Sequence, residues 1–290
     1  MNRAYPVLAL GVVAVSFAAI LIRWAEAPAL VVAAYRLGIA SAIVLPLAGM
    51  RSRAEWALLP VRAWLLLAAS GVFLGLHFAL WIASLSHTSV ASSVIFVTTS
   101  PLFVAAAAHL LGIDRVSRPT AIGIAVAAAG GILIGSGDLS VGRGALWGDL
   151  LALGGAAMAA GYLLIGRKRR RGLTNLAYVA PVYGLAALLN LGLAAGAGLP
   201  FGGYAAVTFL MFLFLALGPQ LLGHSSINWA LGHLSAPFVS VAILGEPVGA
   251  TLLAYLLLSE TPAPETLAGG ALILAGVYLA SRGERVRSLR

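Results

Sequence analysis

Long apolar runs separated by short polar connections set the pattern of this chain. They cover residues 5–22, 30–48, 63–84, 90–111, 120–135, 145–166, 175–195, 205–229, 235–258 and 265–280. A hydrocarbon core about 30 Å thick is crossed by roughly 20 apolar residues in helical conformation. Each run is therefore read as a transmembrane helix, and the fold class as all-α integral membrane with ten transmembrane helices. The first run follows Arg3 and precedes Ala25, Glu26 and Ala27, which together look like a cleavable leader. Its apolar core exceeds the usual length of such a leader, and its removal would leave nine helices and spoil the repeat described next. It is kept as helix 1.

Laying the second half on the first with one constant offset, 146 residues from Leu85 to Leu231, also superimposes His87 on His233, Pro101 on Pro247 and Asp114 on Glu260. Gly123 then falls on Gly269, and Gly130 on Gly276. Nearer the start, Leu8, Ala9, Leu10 and Gly11 match Leu151, Ala152, Leu153 and Gly154 with a drift of three residues. A duplicated unit explains both alignments. The two copies are residues 1–140, with helices 1 to 5, and residues 141–290, with helices 6 to 10. Because five is odd, the second copy starts from the opposite side of the membrane. Two inverted five-helix repeats around a central cavity are a signature of transporters.

Composition agrees: 61% of residues are hydrophobic and only 9% charged, far below the quarter usual in soluble domains. The net charge of +9 could suggest nucleic acid, but the basic residues sit in short clusters between apolar runs, so they are read as topology and no nucleic-acid partner is expected. With the N terminus in the cytoplasm, the inner connections and termini hold Arg3, Arg51, Arg53, Arg62, Arg115, Arg118, the run Arg167, Lys168, Arg169, Arg170, Arg171, and Arg282, Arg285, Arg287 and Arg290. That is fifteen of the 18 basic residues, which places both termini inside. The run from Arg167 to Arg171 is read as a stop-transfer anchor.

Ionisable groups at membrane depth are candidates for function. Glu246 lies near the middle of helix 9, directly before Pro247, and Arg36 lies about a third of the way into helix 2. Glu246 could hold a substrate ammonium or a proton, or it could pair with Arg36 as a structural buried charge. Pro101 and Pro247 occupy matching mid-helix positions, where each frees a backbone carbonyl. They read as kinks or gating points at a central site. His77, Trp81 and Ser84 share a face of helix 3, and Ser92, Phe96, Thr99 and Phe103 form a row on helix 4, with Ser100 beside it as the repeat counterpart of Glu246. Gln220, His224 and Asn228 follow at four-residue steps on helix 8. Such mixed faces line a cavity or an interhelical seam, although Trp81 and Trp229 also suit interface anchors. The substrate-binding set is read as His77, Trp81, Phe96, Thr99, Ser100, Gln220, His224, Asn228 and Glu246.

No hydrolase, metalloprotease or phosphate-binding motif occurs, so an enzyme is not expected. No catalytic residue, metal site or cofactor is assigned: the chain has no cysteine and its five histidines are scattered. Without a nucleotide motif, transport would be passive or driven by a gradient. The partners expected are a small-molecule substrate and membrane lipid.

Leu244, Gly245, Glu246 and Pro247, then Ser259, Glu260 and Thr261, then Leu267 through Val277 resemble the end of the EamA domain of the drug/metabolite transporter superfamily. The first half carries a weaker copy, with Asp114 where that pattern has Glu, and Arg36 matches a basic position usual in helix 2. In length and in its aromatic helix 3 and 4 faces the chain looks most like the YddG-type bacterial exporters of aromatic amino acids and methionine. The resemblance implies ten helices around a central cavity, alternating access and a bacterial inner membrane location. Export of a zwitterion would use freed carbonyls, helix ends and Glu246 for its charged groups, with Trp81 and Phe96 as apolar contacts. A multidrug cation exporter is an alternative, but helix 1 lacks the acid such pumps use. A phosphorylated-sugar carrier would want several intramembrane cations, and only Arg36 qualifies. A scaffold or lipid-binding protein would not need the repeat.

The topology is testable because the chain contains no cysteine. Single cysteines at Ser52, Ser140 and Ser288 are exposed in intact cells to a membrane-impermeant thiol reagent. Only position 140 is expected to react from outside; labelling at 52 or 288 overturns the assignment of both termini to the cytoplasm.

Overall fold

In hydrocarbon every backbone N–H and C=O has to be satisfied within the protein, which leaves helices as the economical answer for apolar runs of this length. The computed structural model describes residues 3–84, 87, 93, 96–97, 99–136, 143–170, 172–258, 261 and 264–288, and among these it is all helical, without a strand. Helix α1 runs over Ala4–Ser16 and continues, after a break at Phe17, as Ala18–Ala25. Next come α2 (Ala29–Arg51), α3 (Val61–Ser84), α4 (Ser100–Leu110) and α5 (Arg118–Ser136). Then follow α6 (Arg143–Arg170) and α7 (Asn175–Gly196). Helix α8 consists of Ala206–Leu215, a π-helical stretch Ala216–His224, and Ser225–Leu231. Helix α9 is Ala236–Ile243 followed by Gly245–Leu258, and α10 is Pro264–Ser288.

Seven of these, α1, α2, α3, α6, α7, α8 and α9, are long and apolar enough to cross a membrane. Helices α4 and α5 contribute shorter apolar stretches, Ser100–Leu110 and Arg118–Leu133. The first part of the expected helix 4, including most of residues 85–95 and Ser92 itself, lies outside the described residues, as do Ser140, Arg171 and Glu260. One element was not expected. Arg53–Ala57 forms a short helix between α2 and α3, where Trp56 Nε1 donates to the Ala177 carbonyl at 3.0 Å and Glu55 accepts from Thr174 N at 2.8 Å. It ties the α2–α3 and α6–α7 connections together. Two helices end on left-handed glycines: Gly112 (φ 62°) follows α4 and Gly198 (φ 67°) follows α7. In each case the next amide returns to a carbonyl of the last turn, Ile113 N to Ala108 O and Leu199 N to Ala194 O, a geometry that glycine reaches without a Cβ clash.

Lipid offers no hydrophobic reward for helix association, so interfaces depend on small residues that let backbones approach. The tightest is the antiparallel crossing of α5 and α10. A Cβ on Gly123 would lie 2.5 Å from the Gly276 carbonyl oxygen, and one on Gly130 would lie 2.5 Å from that of Gly269. Helix α3 packs on α6 and α7 in the same manner, through Gly71 and Gly75 against Val182 and Ala186, and through Gly161 against Phe73. Helix α1 packs on α8 through Gly11 and Gly223, and α2 packs on α7.

At the end bearing the start of α1 and the end of α10, a buried polar network joins four connections. Arg167 Nε donates to Asp114 Oδ2 at 3.0 Å and its Nη1 to the Leu231 carbonyl at 2.8 Å. The same Asp114 oxygen accepts from Ala236 N at 3.0 Å, and Glu284 accepts from the Ser235 amide and hydroxyl. Arg170 donates to the Asn228 and Leu173 carbonyls. Within the basic run, then, Arg167 and Arg170 are buried structural donors rather than solvated anchors. Ser52 is also buried, at 2% exposure, so silence of a cysteine there carries no topological weight; the exposed neighbour Arg53 is the better labelling position.

The glycine crossing yields a stability prediction. Gly123→Ala or Gly276→Ala forces a methyl into a backbone carbonyl and is expected to cost about 1–3 kcal/mol, seen as a lower melting temperature in detergent. Gly192→Ala, whose Cβ meets nothing within 4 Å, is expected to cause no loss. Equal melting of all three variants overturns the close-packing account.

Candidate functional site

A cavity of about 150 Å³ lies between α1, α2, α3, α4, α6, α8 and α9. Its floor is made of Tyr162, Leu163 and Ile227, all buried, and its rim holds Trp81, Ser100, Glu246 and Pro247, all partly exposed. Backbone irregularities surround it. The break at Phe17 in α1, the π-helical stretch of α8, the turn at Thr99 before α4 and the turn at Leu244 within α9 all lie beside lining residues. Pro101 stands in the first turn of α4 and Pro247 near the start of the second α9 segment. Both prolines thus open a new helical segment, where their missing N–H costs least, and do not bend a continuous helix.

Arg36 and Glu246 share this cavity and act on one another through their charges. Arg36 is 1% exposed; its Nε donates to Gln220 Oε1 at 2.9 Å and its guanidinium carbon lies 4.4 Å from the Phe78 ring centroid. Glu246 lines the same cavity, and among the described residues no ion pair or hydrogen bond joins the two. On α3, His77 Nδ1 donates to the Gly155 carbonyl at 2.9 Å, and its ring stacks on Trp81 with 2° between the planes and 6.1 Å between centroids. His224 meets Phe78 edge-on at 5.4 Å, and its buried Nδ1 has no hydrogen-bond partner among the described residues.

Of the residues read from the sequence, His77, Trp81, Ser100, His224, Glu246, Pro247 and Arg36 come together as cavity lining. Gln220 stands behind Arg36. Asn228 lies one layer towards the termini, where its amide donates to Tyr162 Oη, to Tyr183 Oη at 3.4 Å and to the His224 carbonyl. Thr99 donates to the Phe96 carbonyl, and both stand next to the lining residues Val97 and Ser100. Ser84 is buried, bonded to Ser93 at 2.7 Å, and Phe103 is 36% exposed on the outer surface of α4, so neither lines the cavity. Tyr162 was missed by the sequence reading; a phenol in the middle of an apolar helix was the available signal. Val15, Ile227 and Leu163 carry no signal at all, since an aliphatic wall residue reads like any other core position. No group of three metal-ligating side chains occurs among the described residues.

A solved structure described only as "Crystal structure of protein" superimposes with a TM-score of 0.80, covering 98% of this chain and 98% of its own, at 19% identity. At that identity the likeness shows the fold alone. A comparison with curated proteins found no match. The family model described as EamA-like transporter family matches twice, over residues 2–136 and again over residues 146–282. With two successive matches that together span nearly its whole length, the chain belongs to the EamA-like transporter family, whose members are membrane transporters and not enzymes.

Proposed function

We propose that this transporter exports small zwitterionic metabolites, above all aromatic and apolar amino acids such as phenylalanine, tryptophan and methionine, by alternating access across the bacterial inner membrane. The observation that carries the reading is the cavity itself: one acid, one base and an aromatic wall meet in a space that several interrupted helices surround. Glu246 is the docking point for the ammonium. His77, Trp81, Phe96, Thr99, Ser100, Gln220, His224 and Asn228 form or back the remaining wall. Pro101 and Pro247 mark the segments that move.

The same reading assigns ten membrane crossings, with both termini cytoplasmic, to two inverted repeats, residues 1–140 and 141–290. It draws support from the α5–α10 crossing. The contacts Gly123 with Gly276 and Gly130 with Gly269 become each other when the two halves are exchanged, as an in-plane two-fold axis requires. Helix pairings follow the same rule: α1 with α8 and α3 with α6 are exchange partners, while α2 with α7 and α5 with α10 each map onto themselves. A multidrug cation exporter is the second reading, favoured by a cavity acid that no hydrogen bond engages among the described residues and opposed by a buried guanidinium in the same cavity.

An aromatic wall makes a specific demand. Removing one is expected to cost a bulky substrate about one or two kcal/mol, roughly a tenfold loss of affinity. Trp81→Ala and Phe96→Ala are therefore expected to weaken transport of phenylalanine, tryptophan and methionine far more than that of alanine or glycine. The check is competition by unlabelled amino acids in proteoliposomes of each folded variant. An unchanged substrate ranking in both variants overturns the amino acid reading. Glu246→Gln is expected to abolish most transport while the protein still purifies as a monodisperse species; full transport removes Glu246 from the mechanism.

A further inference from the structure

The geometry points to Arg36 as the cavity's carboxylate-binding group, with Gln220 as the residue that positions it. This rests on the reading of the cavity as the substrate site and names the chemistry of its cationic half. A guanidinium presents five donors in a rigid planar fork, and its value to a carboxylate depends on which edge is free. Here the Nε edge is occupied. Gln220, itself fully buried, accepts from Nε at 2.9 Å, and the Phe78 ring supports the guanidinium from one side at 4.4 Å. No hydrogen bond engages the two terminal nitrogens among the described residues, and Arg36 lines the cavity. The end-on pair of donors, able to make a bidentate carboxylate contact, is the pair left uncommitted.

Gln220 reaches Arg36 from within the π-helical stretch Ala216–His224, directly after Pro219. Among the described residues its buried Nε2 makes no close hydrogen bond, although the amide also acts on the Tyr183 phenol. The firm commitment of this amide is its oxygen's bond to the arginine. Glu246 lines the same cavity and acts on Arg36 through its charge, but among the described residues it makes no hydrogen bond to the guanidinium, so the terminal nitrogens keep room for an anionic ligand group. Across the cavity from a carboxylate held in this way, Glu246 would meet the ammonium of the same amino acid.

Three probes that share a phenyl ring separate the charges: phenylalanine, 3-phenylpropionate, which lacks the ammonium, and phenethylamine, which lacks the carboxylate. Binding of each to the detergent-purified full chain is measured by calorimetry for the parent, Gln220→Glu, Gln220→Leu and Arg36→Lys, with folding checked by melting temperature. Gln220→Glu keeps the size and the acceptor but pairs the guanidinium internally. It is expected to weaken 3-phenylpropionate and phenylalanine at least tenfold while leaving phenethylamine within twofold. Gln220→Leu and Arg36→Lys, which release or remove the oriented fork, are expected to weaken the same two probes several-fold. Equal losses for phenethylamine, or unchanged 3-phenylpropionate binding in Gln220→Glu, overturn the assignment of Arg36 while leaving the amino acid reading in place. Failure of the parent to bind phenylalanine overturns the amino acid reading and this assignment with it.

Discussion

Helices surrounded by lipid gain nothing from hiding apolar faces on one another, so contact between bare backbones has to hold them together. The α5–α10 crossing shows how strict this is. Gly123 and Gly130 admit carbonyl oxygens where any side chain would intrude. Among the described residues, none of the cavity lining comes from α5, α7 or α10. The carbonyl-to-glycine crossing and the cavity thus lie on different helices, while α1 with α8 and α3 with α6 bring glycine packing up to the cavity itself.

The breaks in the helices around the cavity follow from the same constraint seen from the backbone. Irregular chain at membrane depth is tolerated only where protein or a polar cavity can satisfy the freed groups. The break in α1, the turns at Thr99 and Leu244 and the π-helical part of α8 all gather around one space. Towards the termini that space is closed by layers of buried polar contacts. Tyr162, Asn228 and Tyr183 come first, then Arg167 with Asp114, Leu231 and Ala236. A buried ion pair of this kind is worth little as net stability but is costly to break on one side only, so it defines one arrangement of the four connections sharply.

Much of this was legible in the order of residues. Apolar runs located the helices, and matched prolines located the interruptions, because a missing N–H has the same consequence in any fold. Arg36 and Glu246 were legible because charge in an apolar run has few explanations. Gln220, His224 and Asn228 follow at four-residue steps, but spacing could not show which neighbours each meets: Gln220 bonds Arg36 on α2, His224 lines the cavity, and Asn228 bonds Tyr162 and Tyr183. Nor could spacing reveal that Asp114 takes both Arg167 and the start of α9, since that contact joins residues far apart in the chain.

Ser100 and Glu246 occupy corresponding positions in the two halves and line one cavity. Two identical chains related by a two-fold axis could not achieve this, because every residue near the axis would come twice. A paired acid would sit beside its copy, and each would oppose ionisation of the other. Joining the halves in a single polypeptide lifts that restriction. One copy keeps a hydroxyl where the other has a carboxylate, and Arg36 faces the cavity from the first half alone. Contacts such as Gly123 with Gly276 and Gly130 with Gly269 keep the symmetry of the repeat, while the cavity, lined by one cation and one acid, acquires a direction. Under the proposed reading of this cavity as the substrate site, a solute with two distinguishable ends can be told from its mirror placement only in such a space, and the fusion of the repeats is what makes that possible.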